Sequence, residues 1–317
     1  MAKTTPQAVP FADLIKNTDT PSGTAAIWWL GQMGVCIKMG DTILIIDYYA
    51  STDRPRIAPP PVPQENVCGV TAFLGTHDHV DHIDWPSWKI WAGTCPDAAF
   101  IMPAAHIGPA SAKASGIAPD RLIGMNDGDV ITLPNINVIT PPSKDTASVI
   151  QTGNTVVRNP DQTGILQKNT VSIHAIPAAH EFLNQDPETG YYPCLQYIIE
   201  GNGVRIYHAG DTLRYEGMLP RLRQFGHFDA AILPINGRDA RRYQRGTIGN
   251  MTFQEAVDLA GELQPGMVIP GHWDLFARNS ADPAEFADYL DAKYGEEIRC
   301  LIPTYGQQII VRQLPAR

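Results

Sequence analysis

The first third of the chain is a series of short apolar runs separated by turn residues. Three of them predict a β-meander, at residues 25–30, 35–39 and 42–46. Gly40 and Asp41 fit a two-residue hairpin turn between the second run and the third. Residues 54–63 contain five prolines, which cannot donate to a β-ladder, so we expect a loop there. Another apolar run, at residues 70–74, predicts the next strand.

The second half alternates strand and helix patterns. Apolar runs predict strands at residues 172–179, 204–208, 229–233, 267–269 and 308–312. Thr252 and Glu255 form a capping-box pattern, and Asp282 followed by Pro283 predicts a second helix start. This alternation is typical of an α/β fold. The polar segment 141–169 is either a lid or assembly element, or a surface loop without function.

Composition limits the classes of partner. With 317 residues, 44% of them apolar, the chain can bury a large core, and we expect one domain over residues 1–317. A formal net charge of −9 disfavours nucleic acid as a partner. Five scattered cysteines without a CxxC pair predict reduced thiols in a cytoplasmic protein. Neither a signal peptide nor a membrane-length apolar run is visible, and a homo-oligomer is compatible with the sequence.

The densest candidate chemistry follows the apolar run at residues 70–74. Three imidazoles and one carboxylate fall within six residues: His77, His79, Asp81 and His82. Each buried polar side chain needs a partner, so packing alone is a poor explanation of this density. His77 and His79 can serve one ion while Asp81 and His82 reach a second, as a binuclear hydrolytic centre requires. A solvated histidine-rich turn is the alternative.

Further ligand types stand where predicted strands end. His180, Asp211 and His272 each follow an apolar run, in the turns after residues 172–179, 204–208 and 267–271. Loops at strand ends can converge on one point while the sheet holds them rigid. We therefore expect these three side chains to join the histidine-rich turn, which favours a metal site over a solvated turn.

This series of motifs resembles the metallo-β-lactamase superfamily, in which the chain is most similar to the L-ascorbate-6-phosphate lactonase family. The similar blocks are residues 27–31, 76–79, 206–211, 268–274 and 281–283. The resemblance implies an α/β fold, a metallo-β-lactamase-like αββα four-layer sandwich. The lactonases carry an acid in the place of His180, and the arginine-containing segment 235–250 does not align with them.

The resemblance also implies a distribution of ligands. His77, His79 and His180 would bind a first ion, Asp81, His82 and His272 a second, and Asp211 would bridge them, with Asp81 and Asp211 counted as catalytic. Asp47, after the strand at residues 42–46, resembles the first-motif aspartate, which supports the site; a plain turn cap is the alternative. His208 and Asp274 are expected to lie behind the ligands, and Trp273 to pack.

Two bound divalent ions, Zn²⁺ or Mn²⁺, would supply a bridging hydroxide, because metal binding brings the pKa of water close to neutral. The resemblance implies that this hydroxide opens a small anionic lactone of the sugar-acid phosphate type. Alternatives are a metal-dependent phosphodiesterase and a non-catalytic metal-binding or sensor protein. His79 stands where di-iron redox members carry glutamate, and Asp211 where some lactamases carry cysteine.

The sequence also offers cations that could bind an anionic small-molecule substrate. Arginines cluster after the strand at residues 229–233, at Arg238, Arg241, Arg242 and Arg245. A guanidinium suits a phosphate or carboxylate, and we predict substrate contacts for Arg238 and Arg241. A solvated helix or loop face is the alternative reading of this run.

Overall fold

The computed structural model describes residues 11–108, 115–134, 137–139 and 170–315. Two β-sheets form the centre of the molecule. Seven strands in the described part of the chain make the first sheet: β1 (Thr24–Gly31), β2 (Gly34–Met39), β3 (Thr42–Ile46), β4 (Ala72–Leu74), β5 (Ala99–Pro103), β6 (Leu122–Met125) and β15 (Gln308–Arg312). The segment 141–169, predicted as a lid, an assembly element or a loop, lies outside the described residues.

The second sheet has eight strands within the described residues: β7 (Val130–Leu133), β8 (Asn137–Ile139), β9 (Val171–Pro177), β10 (Leu195–Gly201), β11 (Val204–His208), β12 (Ala230–Pro234), β13 (Met267–Gly271) and β14 (Arg299–Cys300). The strand orders are β15-β1-β2-β3-β4-β5-β6 in the first sheet and β14-β13-β12-β11-β10-β9-β7-β8 in the second. The meander β1-β2-β3 is antiparallel, and Met39 pairs with Thr42 across the predicted Gly40–Asp41 turn.

The helices of the described chain are α1 (Phe11–Asn17), α2 (Trp85–Thr94), α3 (Met218–Arg223), α4 (Ala240–Gln244), α5 (Phe253–Leu263) and α6 (Pro283–Tyr294). The predicted capping box at the start of α5 is confirmed, since Thr252 and Glu255 exchange both hydrogen bonds. The second predicted helix start is also confirmed: Asp282 accepts a hydrogen bond from the Ala284 amide, and Pro283 occupies the first turn of α6. No helix in the described ranges is long and apolar enough to cross a membrane.

Three apolar cores separate four layers. One core lies between the two sheets, a second covers the other face of the first sheet beneath α1 and α2, and a third lies between the second sheet and α3, α5 and α6. In β1, Ile27 and Trp29 face the other sheet while Trp28 and Leu30 face the helices. A strand buried on both faces has a continuous apolar run, as observed here. The predicted αββα sandwich is confirmed.

The direction of the strands brings several loops to one edge of the sandwich. Strands β3, β4 and β5 run parallel in the first sheet, and β11, β12 and β13 run parallel in the second. Parallel strands end on the same side, so the loops after β3, β4, β11 and β13 meet there. The loops after β4, β11 and β13 carry six of the seven predicted ligands, and the loop after β3 carries Asp47. The seventh, His180, follows β9, which runs in the same direction as β11.

Candidate metal centre

The seven predicted ligands lie together at this edge. Their nitrogen and carboxylate oxygen atoms form three groups, within each of which all ligand atoms lie within 4.8 Å of one another. The groups are His77, His79 and His180; His77, His82 and Asp211; and Asp81, His82 and His272. The first and third coincide with the sets that the resemblance assigns to separate ions.

The imidazole half, as we call His77, His79 and His180, contains only imidazole donors. His77 Nε2 lies 2.8 Å from His79 Nδ1, and His180 Nε2 lies 3.3 Å from the same atom. His77 and His180 are buried, whereas His79 is exposed. This half therefore borders solvent.

The mixed half, as we call Asp81, His82 and His272, lies deeper. His272 Nε2 lies 3.6 Å from Asp81 Oδ2, and His82 Nε2 lies 3.9 Å from it. Both imidazoles are fully enclosed. Two carboxylates therefore share this half, because Asp211 also approaches it.

Asp211 lies between the two halves. Its carboxylate is 3.0 Å from His272 Nε2, 3.4 Å from His82 Nε2 and 3.7 Å from His180 Nε2. Gly210 brings the turn this close, because its φ of +57° is left-handed and a Cβ there would lie 2.8 Å from Thr76 Cγ2. Asp211 therefore lies close to ligands of both halves.

Asp47 supports the mixed half from behind. It is completely buried, and its Oδ2 lies 2.7 Å from His82 Nδ1. The same carboxylate accepts hydrogen bonds from the amide of Thr76, at 2.8 Å, and from its hydroxyl, at 2.7 Å. Asp47 thus both fixes the turn after β4 and orients the His82 ring toward Asp211.

Backbone strain concentrates at the centre. Among the described residues, non-glycine residues with positive φ are Gln32, Asp47, Glu181, Asn202, Gln264 and His272. Two of them, Asp47 and His272, were predicted site residues, and Glu181 follows His180 directly. Left-handed backbone costs a non-glycine residue energy and persists where the surroundings impose it. The surrounding structure therefore holds these loops in backbone conformations that are unfavourable for the residues themselves.

The imidazole half favours uncharged rings. Burial, reinforced by the neighbouring His82, holds the pKa of His77 well below its usual range and also lowers that of His79. Burial lowers the pKa of His180 to about 4, against the opposing effect of Asp211. Neutral imidazole is the form that binds metal. These three side chains are ready to bind without losing a proton.

The mixed half favours charged groups. Burial opposes a charge on His82, but Asp211, Asp47 and Asp81 outweigh it and raise the pKa of His82 well above its usual range. For Asp211, burial opposes ionisation, but His272 and His82 outweigh it and hold the pKa well below its ordinary value. In the metal-free protein this half is a buried network of opposite charges.

The donors fit a divalent cation. His82 Nε2 and Asp211 Oδ1 are buried and face each other at 3.4 Å, and among the residues that the structure describes neither atom has a hydrogen-bond partner of good geometry. Burying such atoms unsatisfied is costly, and a shared cation would remove the cost. A set of imidazole nitrogens and carboxylate oxygens suits Zn²⁺ or Mn²⁺.

Sequence reasoning missed Gln32. Its side chain is completely buried, and Nε2 lies 2.9 Å from Asp81 Oδ2 and 3.2 Å from each ring nitrogen of His272. The available signal was the apolar run at residues 27–31, which breaks at a glycine and continues into a polar residue. That break marks a turn at the same edge as the ligands.

Two predicted supporting residues brace turns of the centre. Asp274 accepts hydrogen bonds from Trp29 Nε1, at 2.7 Å, and from the Gln32 amide, at 2.6 Å, and burial raises its pKa. His208 is buried, with Nε2 2.8 Å from the Met33 carbonyl, and its Nδ1 accepts from the Gly210 amide. Trp273 donates to the Pro270 carbonyl and packs in the third core.

The arginines lie beside the centre, in and around α4. Tyr243 in this helix hydrogen-bonds Glu181, the neighbour of His180. Arg238 forms a two-point ion pair with Glu255, at 2.6 and 2.8 Å, and donates to the Asn250 carbonyl. Arg242 donates to the carbonyls of Asn236 and Ser280. Arg241 is exposed, and its amide donates to Asp239.

Comparison with known proteins gives a consistent picture. A family model described as "Beta-lactamase superfamily domain" matches residues 45–273. A probable L-ascorbate-6-phosphate lactonase from Salmonella choleraesuis is 24% identical over 302 residues, covering 86% of this chain and 75% of that protein. A metal-dependent hydrolase from Thermococcus onnurineus is 33% identical over 130 residues, covering 41% of this chain and about half, 53%, of that protein.

A solved structure supports the fold. The metallo hydrolase Igni18 from Ignicoccus hospitalis superposes with a TM-score of 0.60 at 18% identity, covering 91% of this chain and 99% of that one. At this level of identity, the likeness extends to the arrangement of the sheets and helices and not to the substrate.

Proposed function

The chain belongs to the beta-lactamase superfamily and is a metal-dependent hydrolase, and from this premise we propose that it opens a small anionic lactone at a centre holding two divalent ions. The ions would be Zn²⁺ or Mn²⁺. His77, His79 and His180 would hold one, Asp81, His82 and His272 the other, and Asp211 would touch both. The observation that carries the proposal is the placing of Asp211 between two separate ligand groups.

Two bound ions would bring the pKa of water close to neutral and polarise a carbonyl group. The residues of the chain would do the remaining work. Asp211, whose pKa lies well below its ordinary value, stays ionised and keeps the two halves at a fixed separation. Asp47 keeps His82 turned toward the centre. The exposed position of His79 leaves the imidazole half accessible, so we place the scissile carbonyl on that side.

The lactone is proposed from the relative that covers most of this chain, the probable L-ascorbate-6-phosphate lactonase. Arg241 is the better of the two predicted substrate cations, because its side chain is exposed, whereas Arg238 is held in an ion pair. Arg238 already pairs with Glu255, so we propose that it contributes mainly by holding the segment that carries Arg241. His180, which replaces an acid of the lactonases, would change how the substrate fits.

The proposal is tested by metal content and a substrate panel. We expect about two ions per chain by elemental analysis after reconstitution, and turnover of phosphorylated sugar lactones that is lost on chelation. Full activity with one ion per chain would overturn the binuclear centre. Nucleotide phosphodiester turnover without lactone turnover would favour the phosphodiesterase, and metal binding without turnover of any ester would favour a non-catalytic metal-binding protein.

A further inference from the structure

The side chain of Gln32 ends between two predicted ligands of the mixed half. Its amide nitrogen donates to Asp81 Oδ2 at 2.9 Å, which is the oxygen that faces His272 and His82. The same nitrogen lies 3.2 Å from both ring nitrogens of His272. This nitrogen therefore hydrogen-bonds the Asp81 carboxylate and lies against the face of the His272 ring, so it restrains both side chains.

The backbone of Gln32 holds the same half. Its carbonyl accepts a hydrogen bond from the His272 amide at 2.5 Å, and its own amide donates to Asp274 Oδ1 at 2.6 Å. Gln32 and His272 both have a φ of +62°, a conformation that neither residue favours. Two strained turns are therefore joined directly, and each keeps the other in place.

Asp274 and Tyr305 leave Gln32 little freedom. The second oxygen of Asp274 accepts from Trp29 Nε1 at 2.7 Å, and the hydroxyl of Tyr305 donates to the Asp274 carbonyl at 2.6 Å. Gly31, with a φ of +96°, has no room for a side chain, because a Cβ would lie 2.3 Å from Tyr305 Cε1. Contacts with Asp274 and Tyr305 therefore fix the conformation of this turn and the direction of the Gln32 side chain.

Comparison with Gln196 separates a packing role from a role toward the ligands. Gln196 is also completely buried, but both ends of its amide are satisfied by ordinary structural partners, the Pro177 carbonyl and the Tyr207 hydroxyl. Gln32 Nε2 has only candidate metal ligands around it, and its Oε1 has no hydrogen-bond partner within the described ranges. A buried amide would not be left half satisfied if packing alone had placed it.

We propose that Gln32 is a positioning residue for the mixed half of the metal centre, and that it sets the metal affinity of Asp81, His82 and His272 without affecting the imidazole half. Partners behind a metal ligand typically change metal affinity by about 10–100-fold. The inference rests on the metal site of the proposed function, but on neither its reaction nor its substrate.

The test measures metal binding to each half. In a His79→Ala background, which removes a ligand of the imidazole half, Co²⁺ is titrated against a chelator and its visible absorption is recorded. Adding Gln32→Met is expected to weaken this remaining binding by about 10–100-fold and to change the Co²⁺ spectrum. In an Asp81→Asn background, which disables the mixed half, Gln32→Met is expected to change Co²⁺ affinity by less than about twofold.

Gln196→Met is the matched control, because it also removes a buried glutamine and should lower stability without altering Co²⁺ binding. Gln32→Asn guards against a folding defect, since asparagine tolerates positive φ but is one methylene too short to keep the contact with Asp81. Equal losses of Co²⁺ affinity in both backgrounds, or none in either, would overturn the inference. A protein that binds both ions but opens no lactone would refute the proposed reaction and leave this inference standing.

Discussion

The two halves of the metal centre use similar side chains in opposite environments. In the imidazole half, three uncharged rings contact one another, and His79 reaches solvent. In the mixed half, two carboxylates surround the buried rings of His82 and His272, and Asp47 and Gln32 hold the ligands from behind. One half is open and electrically neutral, and the other is enclosed and charged.

This difference indicates that the two halves have different roles. A buried network of opposite charges with support on every side resists rearrangement, so the mixed half is suited to hold an ion in a fixed position. Rings that border solvent and carry no charge can accept an ion and still leave room for a substrate. Asp211, which touches both halves, is the side chain on which this difference in roles depends.

Replacing Asp211 should have the largest effect. Asp211→Asn removes the charge shared by the two halves while nearly preserving volume, so we expect turnover to fall by more than the roughly 100-fold typical of residues that only orient a ligand. Thermal unfolding should show that the protein remains folded. Steady-state kinetics on the lactone found for the wild type measures the effect.

Asp258→Asn is the control for that change, because Asp258 forms a partly exposed pair with Lys293, and such pairs contribute little. If Asp211→Asn turned over substrate at the wild-type rate, the two halves would work without a shared carboxylate. The role proposed for Asp211 would then be wrong.

Replacing Asp47 should affect one half only. Asp47→Asn removes the negative charge beside His82 Nδ1, and we expect Zn²⁺ affinity of the mixed half to fall by about 10–100-fold. Chelator competition in the His79→Ala background measures it. Asp229→Asn is the matched control, since Asp229 is also buried but its carboxylate accepts from the backbone amides of Arg205 and Leu314. A comparable loss in the imidazole half would show that Asp47 supports the whole centre.

Metal binding to the mixed half should release about one proton more than metal binding to the imidazole half. In the metal-free protein the raised pKa of His82 keeps it protonated at pH 7, so an ion entering the mixed half must displace that proton. The lowered pKa values of His77, His79 and His180 mean that an ion entering the imidazole half displaces none. The difference should shrink as pH rises through the pKa of His82.

Calorimetric Zn²⁺ titrations in buffers of different ionisation enthalpy measure this release. The His79→Ala background reports the mixed half, and Asp81→Asn reports the imidazole half. The difference in proton release between the two titrations is the informative quantity. Equal release from both halves would contradict the electrostatic contrast.

Local patterns predicted nine of the fifteen strands of the described chain, and they also drew attention to the candidate ligands; β5, β6, β7, β8, β10 and β14 were not predicted. Strands β11 and β15 have the predicted bounds, because an apolar run ending at a polar turn residue specifies both ends of a short strand. The closely spaced ligand-type residues after β4, and Asp211 after β11, were visible for the same reason. Local patterns could also locate the start of α5, since a capping box involves residues only three positions apart.

The remaining parts depend on contacts between distant residues. Gln32 meets Asp81 across 49 positions and His272 across 240, so the break after residues 27–31 indicates a turn but not the partners of Gln32. Glu255 was identifiable as a capping residue, but its second use as the partner of Arg238 follows from how α5 packs beside the segment before it. The sequence showed which residues carry suitable chemistry but not which of them were already paired.

The smallest predicted effects concern two arginines, Arg241 and Arg238, in the segment beside the imidazole half. Arg241→Ala should raise KM for an anionic lactone by about 3–10-fold and leave KM for a neutral analogue unchanged, because only a charged substrate would meet its exposed guanidinium. Arg238→Ala should lower stability by at most about 1 kcal/mol, since its pair with Glu255 is partly exposed. Kinetics on the paired substrates and thermal unfolding measure both. Equal losses on charged and neutral substrates for Arg241→Ala would mean that this arginine shapes the segment around α4, and the open half would then recognise its substrate by other groups.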